Sequence, residues 1–376
     1  MRKKNTVETF DTSIEWNTIG VDIASVDIAK YDNTLVAISV DGETQSIERI
    51  STPDLLELSK NLKPTTFAIE PCNGANLLSL SLQAIGHNVK TISGSAVKHW
   101  VETHCGGQKT DRNDATALAY LSMDRMLKPI RTKSLEQMRM LTIFAVRKQL
   151  ISCRSSILVS LKGLSQAWGI LFSANRRNLR KMLEQLREQE NLLTQPIIDS
   201  FEMMIGMIKK LDESIQTLEK VMIEQLKDDS RAEKIMKVLG IGLIGTHRLL
   251  STCGNIDDFR GPKSFAAYYG LVPNNRSTGH NNRVGKCSCH GDVDMRTSLY
   301  QSATVLFMQN AKKQLRDCAL KRWIDKKIAQ KMVWGKMMIA LAAKLARILW
   351  ALLKYDEEFD LHRVGVPRTM LGSVQN

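Results

Sequence analysis

Strand-forming sequence ends near Ser134, and that limit decides what the rest of the chain can fold into. Upstream, TIGVDIASVDIA and TLVAISV read as two β runs, and Asp41-Gly42 is a hairpin turn leading into SIERIS. A helical stretch from Pro53 to Leu62 precedes the short strand TFAIE, and a second, from Ala75 to Ala84, precedes VKTIS. Strands that first meander and then alternate with helices predict a mixed α/β sheet with an RNase H-like layer order.

Between Ser134 and Lys234 only helical spacing is left. Ile208, Leu211, Ile215, Leu218 and Met222 hold an a/d register, while Lys209, Lys210, Glu213, Glu219 and Lys220 fall off it. This predicts a helical coiled-coil arm, in which the helix pairs either with another chain or with a neighbour in its own. An earlier stripe, Leu150, Ile157, Leu161, Leu164 and Trp168, supplies the partner helix or an oligomer contact. From Lys237 onward the chain reads as mostly helical, with Gly240, Gly242 and Gly245 breaking the pattern; such turns can present N–H groups to a phosphate. LVPNNRSTGHNNRVGKCSCHGD is polar and reads as a long ordered loop or ribbon. The expected divisions are an α/β domain at 1–132, the arm at 133–234, a helical domain at 235–356 and a tail at 357–376.

Charge narrows the partner. The 53 Lys and Arg exceed the 39 Asp and Glu by 14, which favours an anionic partner, most simply nucleic acid. Lys321, Arg322, Lys326, Lys327, Lys331, Lys336, Lys344 and Arg347 stand against the single acid Asp325, and of these Lys326, Lys327, Lys331 and Lys336 are candidate phosphate contacts. The N-terminus lacks an apolar signal core, and Met337 to Leu353 is interrupted by Lys344 and Arg347, so no membrane segment is expected. Seven cysteines, an odd number widely spread, do not form a disulfide framework; a reducing, cytoplasmic setting is expected. Cys287-Ser288-Cys289-His290 is too short for the usual paired zinc spacing.

Four acids belong together: an Asp on the first strand, Glu70 at the end of TFAIE, and Asp111 with Asp114 in KTDRNDA. If the last segment opens a helix, the i, i+3 spacing puts both Asp side chains on one face. Hard oxygen ligands of this kind suit Mg²⁺ or Mn²⁺, and a pair of such ions can stabilise both oxygens of a phosphoryl transfer.

VDIAK, IEPCNGA, AIGHNVKTI and QKTDRNDATALA, in that order, resemble the N-terminal domain of the DEDD transposases of insertion-sequence family one-hundred-ten. The likeness points to the one-one-one-one subgroup, with the Piv site-specific DNA invertases as relatives. KVLGIGLIGT, DDFRGPKSFAAYYGLVP and RSTGHNNRVGKCSCHGDVDMRTSLY are similar to that family's C-terminal transposase domain. The resemblance implies an RuvC-like N-terminal domain whose acidic tetrad holds divalent metal, and Ser277 as a nucleophile joined to DNA as a phosphoserine. It also implies donor and target DNA as partners, a homodimer or homotetramer, and in some members a structured guide RNA. Arg276 and Arg283 flank the serine and could steady phosphate oxygens.

Two positions stay open. Gly20-Val21-Asp22 supplies the family's glycine before the first acid, whereas Asp27-Ile28-Ala29-Lys30 supplies its following lysine; a regular strand cannot aim both into one site. The family commonly shows Ser-Ser-Gly where this chain has Ser277-Thr278-Gly279, which makes Thr278 and Ser288 alternatives to Ser277. Two other functions compete: a metal-dependent nuclease or resolvase that hydrolyses DNA with the tetrad alone, and a non-catalytic nucleic-acid-binding protein.

Overall fold

The computed structural model describes residues 10–23, 32–171, 178–188, 193–275 and 284–360. Its contacts divide the chain into two compact units, Met1–Ser134 and Leu135–Asn376.

The first unit is a five-stranded mixed sheet with helices. Its strands are β1 (Trp16–Ile23), β2 (Asp32–Ser39), β3 (Thr44–Ser51), β4 (Thr66–Ile69) and β5 (Asn88–Thr91), in the order β3-β2-β1-β4-β5. The first three form the expected antiparallel meander, and β4 and β5 run parallel to β1. Side chains alternate across β1. Ile19, Val21 and Ile23 enter a core with Leu35, Ala37, Ile47 and Phe67, covered by α1 (Thr52–Lys60) and α2 (Ala75–Ile85) through Leu55, Leu58, Leu78 and Leu82. Thr18, Gly20 and Asp22 therefore face the other way. Two further helices, α3 (Gly94–His104) and α4 (Asp111–Met123), contribute Val97, Val101, Ala117 and Leu118 to a second cluster with Ala68 and Ile92.

Among its described residues the second unit is helical except for one short ribbon. Two long helices, α5 (Leu135–Ala167) and α7 (Gln195–Leu226), pack antiparallel within the chain, and α6 (Leu179–Arg187) packs on α7. The seam of α7 differs from the register expected. Ile208, Ile215 and Met222 are buried, but Leu211 and Leu218 are only partly so. The adjacent positions Asp212 and Glu219 instead reach α5, where Arg154 donates to Asp212 at 2.8 Å and Arg147 to Glu219 at 2.6 Å. Glu219, expected off the seam, is part of it. The stripe proposed on α5 is uneven too: Leu161 is buried, while Leu164 and Trp168 are exposed.

Beyond the arm come α8 (Ser230–Met236), α9 (Leu243–Thr252), a 3₁₀ turn over Ile256–Asp258 and α10 (Pro262–Tyr268). The ribbon of β6 (Pro273–Asn275) and β7 (Val284–Cys287) follows, then α11 (Val293–Ala311), α12 (Ala319–Ala329) and α13 (Trp334–Tyr355). The apolar run of α13 is core: Met338, Leu341, Leu345 and Leu349 pack with Phe265, Tyr269, Leu299 and Leu306. Among the described residues no helix is long and apolar enough to cross a membrane. Gly240, at φ +82°, takes its place because a Cβ there would lie 2.6 Å from the Ser302 carbonyl oxygen on α11. Arg248 grips Asp292, the N-cap of α11, through two hydrogen bonds and lies over the Phe144 ring at 4.7 Å. Its neighbour His247 is fully buried, with Nε2 bonded to Gln225 Oε1 at 2.9 Å.

Candidate active site

The contact of β1 with α4 brings the acids of the first unit together. Helix and strand run in opposite directions. Thr18 Oγ1 meets Ser122 Oγ at 2.5 Å near the helix C-terminus, and Gly20 lies under Ala115 and Ala119. The next residue on that face is Asp22, which arrives at the helix start beside Asp111 and Asp114. Glycine at position 20 is what lets the backbones approach, since a Cβ would collide with the Ala115 carbonyl oxygen.

Glu70 comes from the neighbouring strand. Val21 of β1 pairs with Ile69 of β4 in parallel register, so Asp22 and Glu70 are the next residues at the carboxyl ends of adjacent parallel strands. Open α/β sheets bind ligands at that edge. The Glu70 carboxylate lies against Gly94, where any Cβ would meet its Oε1. In α4, Thr110 caps the helix by accepting from Asn113 N at 3.1 Å, leaving Asp111 and Asp114 in the first turn, where the helix dipole favours negative charge.

Burial and like charge dominate the electrostatics. Burial, then the charges of Asp111, Asp114 and Glu70, push Asp22 up to about 7, with Lys109 pulling it down. Glu70 is raised by burial and by Asp114, and Asp114, only 7% exposed, is raised chiefly by its own burial; Lys109 opposes both shifts. The Cys72 thiol is also raised, by burial first and then by Glu70 and Asp22 against a hydrogen bond from Ala75 N, which keeps it protonated and non-nucleophilic. The donor set, four carboxylates opposed among the described residues by Lys109, fits a divalent cation. The side chains are nevertheless not drawn into a finished shell: among the described residues no group of three or more His, Cys, Asp or Glu is close enough to hold a metal. That result also covers Cys287, Cys289 and His290.

Asp22, Glu70, Asp111 and Asp114 thus share one site, while Asp27, Arg276, Ser277, Thr278 and Arg283 lie outside the described residues. The β6–β7 ribbon brackets the serine segment, with Pro273 paired to Cys287 and Asn275 to Val284. Ser288 follows β7, its backbone N–H donating to Val272 O at 2.8 Å. Of the basic run, Lys321 is paired with Asp325, Arg322 with Asp317, and Lys344 lies over the Trp323 ring; Lys326, Lys331 and Lys336 are exposed, and Lys327 reaches Gln330. Sequence reasoning passed over Lys109, whose one signal was its place two residues before Asp111, and Gly94, whose contribution is only room.

Comparison with known proteins agrees at both ends of the chain. The family described as Transposase IS116/IS110/IS902 matches residues 232–317, and a DEDD transposase family of the same IS110 group matches residues 24–166. The second match includes Asp27 and begins just after Asp22. The "Probable family 20 transposase" of Pseudomonas aeruginosa is 30% identical over 79% of this chain and 86% of its own. The transposase for insertion sequence element IS1111A of Coxiella burnetii is 25% identical over 90% and 91%, and that for IS1328 of Yersinia enterocolitica is 25% identical over 90% and 99%. Likeness at that level, running through nearly the whole length of each partner and naming one activity throughout, makes this chain a member of the IS110 family of DEDD transposases, enzymes that cut and rejoin DNA.

Proposed function

We propose that the first unit is an RuvC-like, RNase H-like catalytic domain whose tetrad is Asp22, Glu70, Asp111 and Asp114, and that Ser277 is the nucleophile of strand transfer. The observation that carries the reading is Asp22: a half-buried carboxyl at a parallel-strand end, raised to about 7 by its burial and then by three other acids. The strand order β3-β2-β1-β4-β5 supports the fold assignment, and the spacing of Asp111 and Asp114 on one turn supports a shared ligand.

A bound Mg²⁺ or Mn²⁺ would supply Lewis-acid stabilisation of charge at the scissile phosphate. The protein's own groups do the positioning. Asp22 and Glu70 hold the site from two adjacent strand ends, Asp111 and Asp114 from the rigid start of α4, and Lys109 balances negative charge at its edge. Ser277 Oγ attacks phosphorus, the phosphodiester bond to the departing strand breaks, and that strand's hydroxyl leaves with the proton. Attack by a second strand's hydroxyl reverses the step, so the number of phosphodiester bonds is conserved. Arg276 and Arg283 hold the phosphate oxygens during both attacks.

Two duplexes must be cut and exchanged, which calls for donor and target DNA on a homodimer or homotetramer, and a structured guide RNA could choose the target. In this reading the α5–α7 pair is a coiled-coil arm used in assembly, and Lys326, Lys327, Lys331 and Lys336 contact phosphates. One observation favours a second reading, hydrolysis by the tetrad alone: all four acids belong to one unit.

Cleavage of element-end DNA in Mg²⁺ tests the assignment. Asp114→Ala should abolish cutting and leave DNA binding intact; near-normal cutting by that variant would remove the tetrad from the mechanism.

A further inference from the structure

Between α12 and α13 the chain exposes two large apolar side chains in a basic field. Val333 is 68% exposed and Trp334 44%, and they are flanked by Lys331 and Lys336, both exposed. From Lys312 to Arg347 there are eleven Lys and Arg and two acids, Asp317 and Asp325. Both acids are taken up locally, by Arg322 at 2.8 Å and Lys321 at 2.6 Å. Nothing acidic in the first turn of α13 offsets this field.

The apolar pair is held in place. Lys331, at φ +51°, turns the chain out of α12, and the N–H groups of Lys331 and Met332 close that helix on Ile328 O and Lys327 O at 2.8 and 3.3 Å. Val333 is the N-cap of α13, its carbonyl accepting from Met337 N at 3.0 Å. The Trp334 ring stands edge-on to Phe307 of α11, with centroids 4.9 Å apart. Two helix ends and a ring contact therefore present Val333 and Trp334 from a fixed base.

We propose that this turn is a wedge for duplex DNA, in which Val333 and Trp334 enter an opened base step while Lys331 and Lys336 contact the phosphates on either side. An apolar side chain within a field of cations is complementary to a polyanion with a stacked apolar interior, and proteins that kink DNA use such wedges to unstack a step. The inference rests on the reading above that the protein acts on DNA, since strand exchange requires base pairs to open.

Binding of the full chain in EDTA, measured by fluorescence anisotropy across a salt series, tests it. The probes are a perfect DNA duplex, the same duplex with a one-nucleotide bulge, and an RNA duplex of the same sequence. Wild type should bind the bulged DNA about tenfold more tightly than the perfect duplex, because the step is already opened. Val333→Ser with Trp334→Ala should lose that preference and keep the salt slope. Lys331→Gln with Lys336→Gln should keep the preference and flatten the slope by roughly one unit per lysine. Val333→Ser alone leaves the Phe307 contact in place and should lose part of the preference at an unchanged melting temperature. A wild type indifferent to the bulge, a preference that survives in Val333→Ser with Trp334→Ala, or an equal loss of RNA-duplex binding in that double variant would each overturn the wedge. No binding to any DNA would instead overturn the proposed function beneath it.

Discussion

Gly20 of β1 and Ala119 of α4 meet backbone to backbone: a Cβ on the glycine would lie 2.7 Å from the Ala119 nitrogen. The same approach seats Asp22 beside Asp111 and Asp114. Gly20→Ala must push helix from strand, which should cost about 2 to 4 kcal/mol. Urea denaturation would measure this, and an unchanged midpoint would contradict the close contact.

The first acid can be decided by paired variants. Asp22→Asn should eliminate DNA cutting in Mg²⁺, whereas Asp27→Asn should leave it. The reverse outcome would move the catalytic register five residues along the chain, to the acid that the family match includes.

Ser277→Ala should eliminate a protein–DNA adduct that survives denaturation, and Ser288→Ala should leave it. Mass spectrometry of the trapped adduct would locate the nucleotide. Attachment to Thr278 or Ser288 would correct the residue within the same mechanism, while cutting by wild type with no adduct would favour hydrolysis.

His247 should make the fold acid-sensitive. Burial, then the positive charges of Arg248 and Arg147, push it down to about 4. The unfolded chain, with an ordinary histidine near 6.5, binds the extra proton first as pH falls. Stability should therefore decline from about pH 6.5 and level off below about 4, by up to about 3 kcal/mol. Denaturation at pH 7 and pH 5 should show a smaller drop for His247→Gln than for wild type; equal drops would mean that the ring is not held neutral.

What sequence alone could reveal followed the strength of each local signal. Glu70, Asp111 and Asp114 were legible because a strand end and a capped helix start fix where those side chains go. The meander was legible through β propensity and the Asp41-Gly42 turn. Helix α3 gave little warning, since Val97 and Val101 are its only buried side chains. Gly94 and Lys109 carry no periodic signal at all. The arm was read as helical, but its seam was placed on Leu211 and Leu218, because spacing cannot tell that Arg154 and Arg147 will draw Asp212 and Glu219 inward.

Those two ion pairs act as a ruler. Arg147 and Arg154 are one heptad apart on α5, and their partners, Glu219 and Asp212, are one heptad apart on α7. Sliding α7 by a heptad one way would set Arg147 against Leu226 and Asp212 against Leu161; sliding it the other way would set Arg154 against Ile205 and Glu219 against Met140. Either slip re-forms one pair with exchanged partners, Arg154 with Glu219 or Arg147 with Asp212, but leaves one arginine and one carboxylate facing apolar side chains, which disfavours it. An all-leucine seam would tolerate several alignments, whereas in this one only the observed setting pairs both arginines, which favours one length for the helical pair.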